Sequence, residues 1–192
     1  APTARLPEAG PDIWPAYFAG HSLGEYNALS SFAGVIPLET VLELVFHRGS
    51  TMLHLIPRDE KGRSNYRMGA LRPNQFGVGD DGVREYVESV SKASGEFLQI
   101  VNYNLAGQQY AVAGTIAGLK ALKADSARRV AEYGGKPAFM LVPGIDVPFH
   151  STLLRKGVPE FRDKLDALLP KHIDYRGRLV GRYIPNLVAV PF

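Results

Sequence analysis

The 192-residue sequence predicts an α/β protein with an inserted lobe, on three observations. A strand, a glycine-bounded sharp turn and a helix follow one another directly near the start. A middle stretch runs in the order β-α-β-β-α-β, and the last residues return to strand character.

Each element has its own signal in the sequence. PAYFAGH reads as a strand ending at Tyr17 and Phe18, and a helix pattern follows from Ser22 to Ala33. A second helix is predicted from Leu38 to Ile56, because Leu38, Val41, Val45, Met52 and Leu55 make one apolar stripe at three- and four-residue spacing. Arg48 fills the remaining slot of that stripe. After the polar segment PRDEKGRSN, a strand begins at Tyr66 and a helix spans Asp80 to Ser94. Strands Phe97 to Tyr103 and Gln109 to Ala113 flank the connector NLAG, as a hairpin requires. A helix from Thr115 to Tyr133 stops at Gly134 and Gly135 and leads into the strand PAFMLVP. This order is the ferredoxin-like split βαβ arrangement, assigned to residues 61–143. GIDVPFHS is an irregular loop, followed by a helix from Leu153 to Leu169 that Pro170 ends. LVGRYIPNLVAV returns to the larger sheet. Residues 1–60 and 144–192 thus form the core, with a parallel sheet. The chain opens without methionine and stops at IPNLVAVPF, and so reads as an excerpt of a longer polypeptide.

Composition removes several function classes. Lys and Arg number 22 against 19 Asp and Glu, giving +3 with no basic block, so nucleic acid is not a predicted partner. No run approaches the roughly 18 apolar residues of a membrane span, and no export signal opens the chain. A cytoplasmic protein is expected. The absence of cysteine excludes disulfides, thiolate metal sites and a cysteine nucleophile. His47 and His54 share a helix face but lack a third ligand, so no metal site is predicted.

Gly20-His21-Ser22-Leu23-Gly24 is a G-x-S-x-G set between strand and helix, the context in which that pattern makes a nucleophile elbow. The elbow lifts the Ser22 hydroxyl at a helix N-terminus and turns the Leu23 N–H toward a developing oxyanion. The competing role for Ser22 is a simple helix cap. A serine needs a base. Of the five histidines, His150 stands in a Pro-bounded loop suited to positioning a side chain, with Phe149 and Ser151 as pocket wall. Asp146 is a candidate to orient it. Arg48 lies on the apolar stripe and cannot shed its charge, so it needs either an internal carboxylate, Glu25 or Glu43, or a carboxylate on the substrate.

AGHSLGEYNALSSFAGV, VFHRGSTM, NYNLAGQQYAVAGT and VPGIDVPFHS together resemble malonyl-CoA:acyl carrier protein acyltransferases over almost the whole chain. The likeness is strongest to the malonyl/palmitoyl transferase domain of type I fatty acid synthases, particularly the actinobacterial single-chain kind. The resemblance implies an α/β-hydrolase-like core. It implies Ser22 as the acylated nucleophile, His150 as the base, Leu23 as an oxyanion donor and Arg48 as the clamp for the malonyl carboxylate. It further implies that Asn104 and either Gln108 or Gln109 line the pocket, with Gln109 assigned to binding, and that Phe149 selects for malonyl. Malonyl-CoA and palmitoyl-CoA are the implied substrates. The implied partners are an acyl carrier protein domain, which brings its own phosphopantetheine, and other synthase domains in a large homo-oligomer. No resident cofactor is implied. The family's glutamine-containing oxyanion loop lies upstream of the elbow and its histidine-orienting carbonyl downstream, both beyond these residues. Two alternatives therefore stand: a serine hydrolase or thioesterase, or an inactive structural fragment of a multienzyme.

Overall fold

The computed structural model describes residues 15–192. They run β1 (Phe18–Ala19), α1 (Leu23–Asn27), α2 (Leu38–Leu55), β2 (Tyr66–Leu71), α3 (Asp80–Ser94), β3 (Leu98–Leu105), β4 (Gln109–Thr115), α4 (Ile116–Tyr133), β5 (Phe139–Leu141), α5 (Val158–Leu168), α6 (Tyr175–Arg178) and β6 (Tyr183–Ile184). Backbone contacts divide them into two units: 15–51 with Pro159–Phe192, and Met52–Val158. The part of the predicted core at residues 1–14 lies outside the described residues.

In the first unit β1 and β6 pair in parallel, Phe18 opposite Tyr183 and Ala19 opposite Ile184. The two rings stack with centroids 5.8 Å apart. Ala28, Ala33 and Leu179 complete this small core, with Leu29 and Val35 against it. The helix expected from Ser22 to Ala33 runs without interruption from Leu23 to Phe32 but passes from α1 into π-helical geometry over Ala28–Phe32. The wider turn places Ala28 and Ala33 together in the core, which 3.6-residue periodicity does not anticipate. In α2 the buried positions are Val41, Leu44 and Thr51, with Arg48 half-buried among them. Leu38, expected on the buried stripe, opens the helix and is 57% exposed. Arg48 nevertheless stays on the buried face, because 41, 44, 48 and 51 keep the same alternating spacing.

The second unit holds a four-stranded sheet ordered β3-β4-β2-β5, with every neighbour antiparallel. That order with two intervening helices is the ferredoxin-like arrangement. Leu71, Leu98, Tyr110 and Val112 from the sheet meet Val83, Tyr86 and Val87 of α3 and Leu119 and Leu122 of α4 in one core. Thr115 caps α4, its hydroxyl accepting from the Gly118 N–H at 3.1 Å. Gly134 ends the helix at a φ of 88°. A side chain at Gly135 would put its Cβ 1.8 Å from the Gln75 carbonyl oxygen, so the glycine pair serves both turn and close approach.

Two further expectations shift. The hairpin connector is Ala106 to Gln108 rather than NLAG, because β3 continues through two register irregularities to Leu105. The helix expected from Leu153 is a 3₁₀ segment, Thr152–Gly157, and only then α5. Pro159 accounts for the break: its ring excludes the preceding turn from α-helical hydrogen bonding, so the α-helix starts just ahead of it.

Candidate active site

Ser22 stands at the N-cap of α1 with φ 53° and ψ −108°, outside the wells open to an L-residue. Its side chain makes no capping hydrogen bond, which argues against the simple cap role. Gly20 is what makes the bend fit. A Cβ there would lie 2.0 Å from the carbonyl carbon and oxygen of Gly24, so only glycine allows α1 to start this close to β1. Gly24, the other glycine of the motif, has open space around it. Leu23 opens α1, where helix geometry leaves a backbone N–H without an intrahelical acceptor.

Arg48 reaches Ser22 from α2. Its Nη2 lies 3.4 Å from the Ser22 Oγ, long for a hydrogen bond, and its guanidinium carbon stands 5.9 Å from the Tyr26 ring centre. Neither candidate internal acid takes the charge. The Glu25 carboxylate accepts from the Tyr183 hydroxyl and from the Asn186 N–H at 2.8 Å, and Glu43 faces His47 at 3.6 Å. Among the described residues Arg48 has no carboxylate within ion-pairing distance. Burial pushes the Tyr26 hydroxyl pKa up, opposed by the cation of Arg48.

Sequence reasoning missed Asn186, whose Oδ1 accepts the Ser22 N–H at 2.6 Å. The ends of β1 and β6 border an open recess of about 300 Å³, lined by Gly20, His21, Pro185 and Asn186 among others. No local signal marks Asn186, because its bond spans 164 residues.

In the second unit, His150 lies in the irregular loop after β5, exposed, with a left-handed φ of 60°. The loop is anchored on both sides of it. Upstream, Arg58 grips Asp146 through Nη1 to Oδ2 at 2.5 Å and Nη2 to Oδ1 at 3.2 Å, and the Ser64 hydroxyl donates to the Asp146 carbonyl. Downstream, the Gln99 Oε1 accepts from the Thr152 N–H at 2.9 Å and from its hydroxyl at 3.0 Å. Asp146, considered as the orienting acid, therefore has both carboxylate oxygens engaged by Arg58. Phe149 is half-buried. Asn104 is exposed near the end of β3, Gln108 exposed in the turn, and Gln109 half-buried at the start of β4.

The hydrogen bonds from Arg58, working against partial burial, hold the Asp146 carboxyl below the usual carboxylate range. A depressed pKa contributes stability above the unfolded value of about 4 and loses it as pH falls through the folded value. Asp146→Asn is accordingly expected to melt below wild type at pH 7, with the gap smaller at pH 3, below the unfolded value, than at pH 7. Thermal melts at the two pH values check this; a gap of equal size at both pH values refutes it.

Residues 1–134 match the family described as the acyl transferase domain. The chain is 38% identical to the fatty acid synthase subunit beta of Saccharomyces cerevisiae, over 92% of this chain and 11% of that protein. It is 40% identical to fatty acid synthase 2 of Mycosarcoma maydis, over 96% of this chain and 6% of that one. Among solved structures, FabD from Acinetobacter baumannii is similar with a TM-score of 0.70 and 29% identity, covering 94% of this chain and 50% of its own. An acyl-carrier-protein S-malonyltransferase from Burkholderia pseudomallei 1710b has a TM-score of 0.63 and 32% identity, covering 82% of this chain and 45% of its own. The chain thus spans about a tenth or less of these synthase polypeptides and about half of the solved transferases.

Proposed function

Since the chain belongs to the acyl transferase domain family, we propose that it moves malonyl groups between coenzyme A and an acyl carrier protein through an acyl-Ser22 intermediate. In the release direction the same serine carries palmitoyl. The observation that carries this reading is the pairing of a strained, uncapped serine with a guanidinium 3.4 Å from its hydroxyl that has no carboxylate partner among the described residues. A hydrolase needs the first feature but gains nothing from the second. A substrate with its own carboxylate needs both.

The chemistry runs in two halves. The Ser22 Oγ attacks the thioester carbonyl carbon while His150, the base in this reading, takes the hydroxyl proton. The carbonyl oxygen becomes an oxyanion that the Leu23 N–H stabilises. The C–S bond then breaks, and coenzyme A leaves as a thiol with the proton from His150. In the second half the phosphopantetheine thiol gives its proton to His150 and attacks the acyl-serine ester, and Ser22 recovers its proton. Arg48 leaves the Ser22 hydroxyl to grip the malonyl carboxylate with its two-pronged fork. In the same reading the role of Phe149 is to select against a substituent on the α-carbon, and that of Asn104 and Gln109 is to bind the acyl group. The setting that fits is a cytoplasmic fatty acid synthase, whose other domains supply the carrier protein. The family membership and the likeness to named synthase subunits and malonyltransferases support this reading.

Incubating the full-length protein with radiolabelled malonyl-CoA, with and without carrier protein, tests it. The label is expected to pass to the carrier when present and otherwise to remain on the enzyme. Release of free malonate as the main product in both cases refutes transfer.

A further inference from the structure

A backbone bent as at Ser22 persists only where its surroundings over-determine it. In the first unit a closed circuit of hydrogen bonds does this. The Ser22 N–H donates to the Asn186 Oδ1 at 2.6 Å, the Asn186 N–H donates to the Glu25 Oε1 at 2.8 Å, and the Glu25 N–H returns to the Ser22 carbonyl at 3.2 Å. The Tyr183 hydroxyl donates to the same Glu25 oxygen, so β6 holds the carboxylate that holds Asn186. Asn186 itself sits in a turn closed by the Ala189 N–H on the Pro185 carbonyl at 2.9 Å. The circuit thus ties Ser22 and Glu25, at the N-cap and in the first turn of α1, to Tyr183 in β6 and Asn186 just beyond it.

We propose that Asn186 is a positioning residue for acyl transfer, fixing the angle at which the Ser22 hydroxyl leaves the elbow by capturing the Ser22 N–H. The inference rests on the reading of Ser22 as the acylated nucleophile. The bond has a second effect. With the Ser22 N–H committed to Asn186, it does not compete for the developing oxyanion, and the adjacent Leu23 N–H is left as the elbow's donor. Asn186 reaches the reaction only through Ser22. Its loss therefore shows in the rate of the chemical step, while the substrate's grip through Arg48 remains.

The test measures single-turnover acylation of the full-length protein by malonyl-CoA, with KM, the melting temperature and hydrogen exchange at the Ser22 amide. Asn186→Ala is expected to slow acylation about 10²-fold, the cost of a misplaced reacting group, with KM within about threefold and faster exchange at Ser22. Asn186→Asp keeps an acceptor oxygen at the same reach and is expected to return acylation to within about tenfold of wild type. Acylation by Asn186→Ala at the wild-type rate overturns the proposal, as does Asn186→Asp being as slow as Asn186→Ala. If the alanine variant does not fold, Asn186→Asp decides by the same tenfold limit. Wild-type protein that takes up no label overturns the nucleophile reading and this inference with it; wild type that labels normally beside an equally fast alanine variant overturns the inference alone.

Discussion

Ser22→Ala is expected to abolish acyl transfer and at the same time leave the fold intact. Alanine retains the backbone demands of serine, so the bend at φ 53° persists while the hydroxyl proposed to form the ester is lost. Intact mass after exposure to malonyl-CoA is expected to show one acyl adduct on wild type and none on the variant. Ser22→Gly sharpens the result. Glycine occupies positive φ without steric penalty, so this variant is expected to be as inactive as alanine yet more stable by about 1–2 kcal/mol. A gain in stability with total loss of labelling marks strain maintained for reactivity. An adduct that survives in Ser22→Ala places the nucleophile elsewhere.

Arg48→Ala is the second large effect, and it separates substrates by charge. Removing one partner of a desolvated charge pair costs about 2–5 kcal/mol, or roughly 30- to 4,000-fold in malonyl transfer. Palmitoyl has no carboxylate to lose, so its transfer is expected to change by no more than about threefold. Arg48→Lys keeps the charge but not the fork, and is expected to fall between. Competing malonyl-CoA and palmitoyl-CoA turnover by wild type and variants measures the ratio directly. Equal losses for both acyl groups remove Arg48 from specificity and leave it a support for Tyr26 and the elbow.

What the sequence discloses follows the reach of the forces involved. The ends of α3 at Asp80 and Ser94 are legible because glycines at 79 and 95 stop the apolar period on both sides. The order of the small lobe is legible because its strands and helices alternate with clean breaks, and neighbouring strands β3 and β4 pair through a short turn. The elbow is legible as spacing, since Gly20 answers to a contact only four residues away. The π-helical turn is not, because Ala28–Phe32 carries an ordinary helical composition and the extra residue per turn is imposed by packing on Phe18 and Tyr183. Neither is the break before α5, where a proline near a helix start is usually harmless. Asn186 is the clearest case. Its sequence neighbours mark only a Pro-containing turn, and its meaning comes from a backbone amide 164 residues earlier.

That separation also sets an order of events during synthesis. At translation speeds of about 5–20 residues per second, Asn186 leaves the ribosome roughly 8–33 s after Ser22. The four-stranded lobe, whose strand pairings close over shorter loops, has all its partners in hand before then. The serine's brace is thus a contact the nascent chain makes only after the strands of that lobe have emerged, 164 residues behind the amide it captures. In the proposed reading, a chain stalled before Asn186 holds the Ser22 hydroxyl without the bond that aims it.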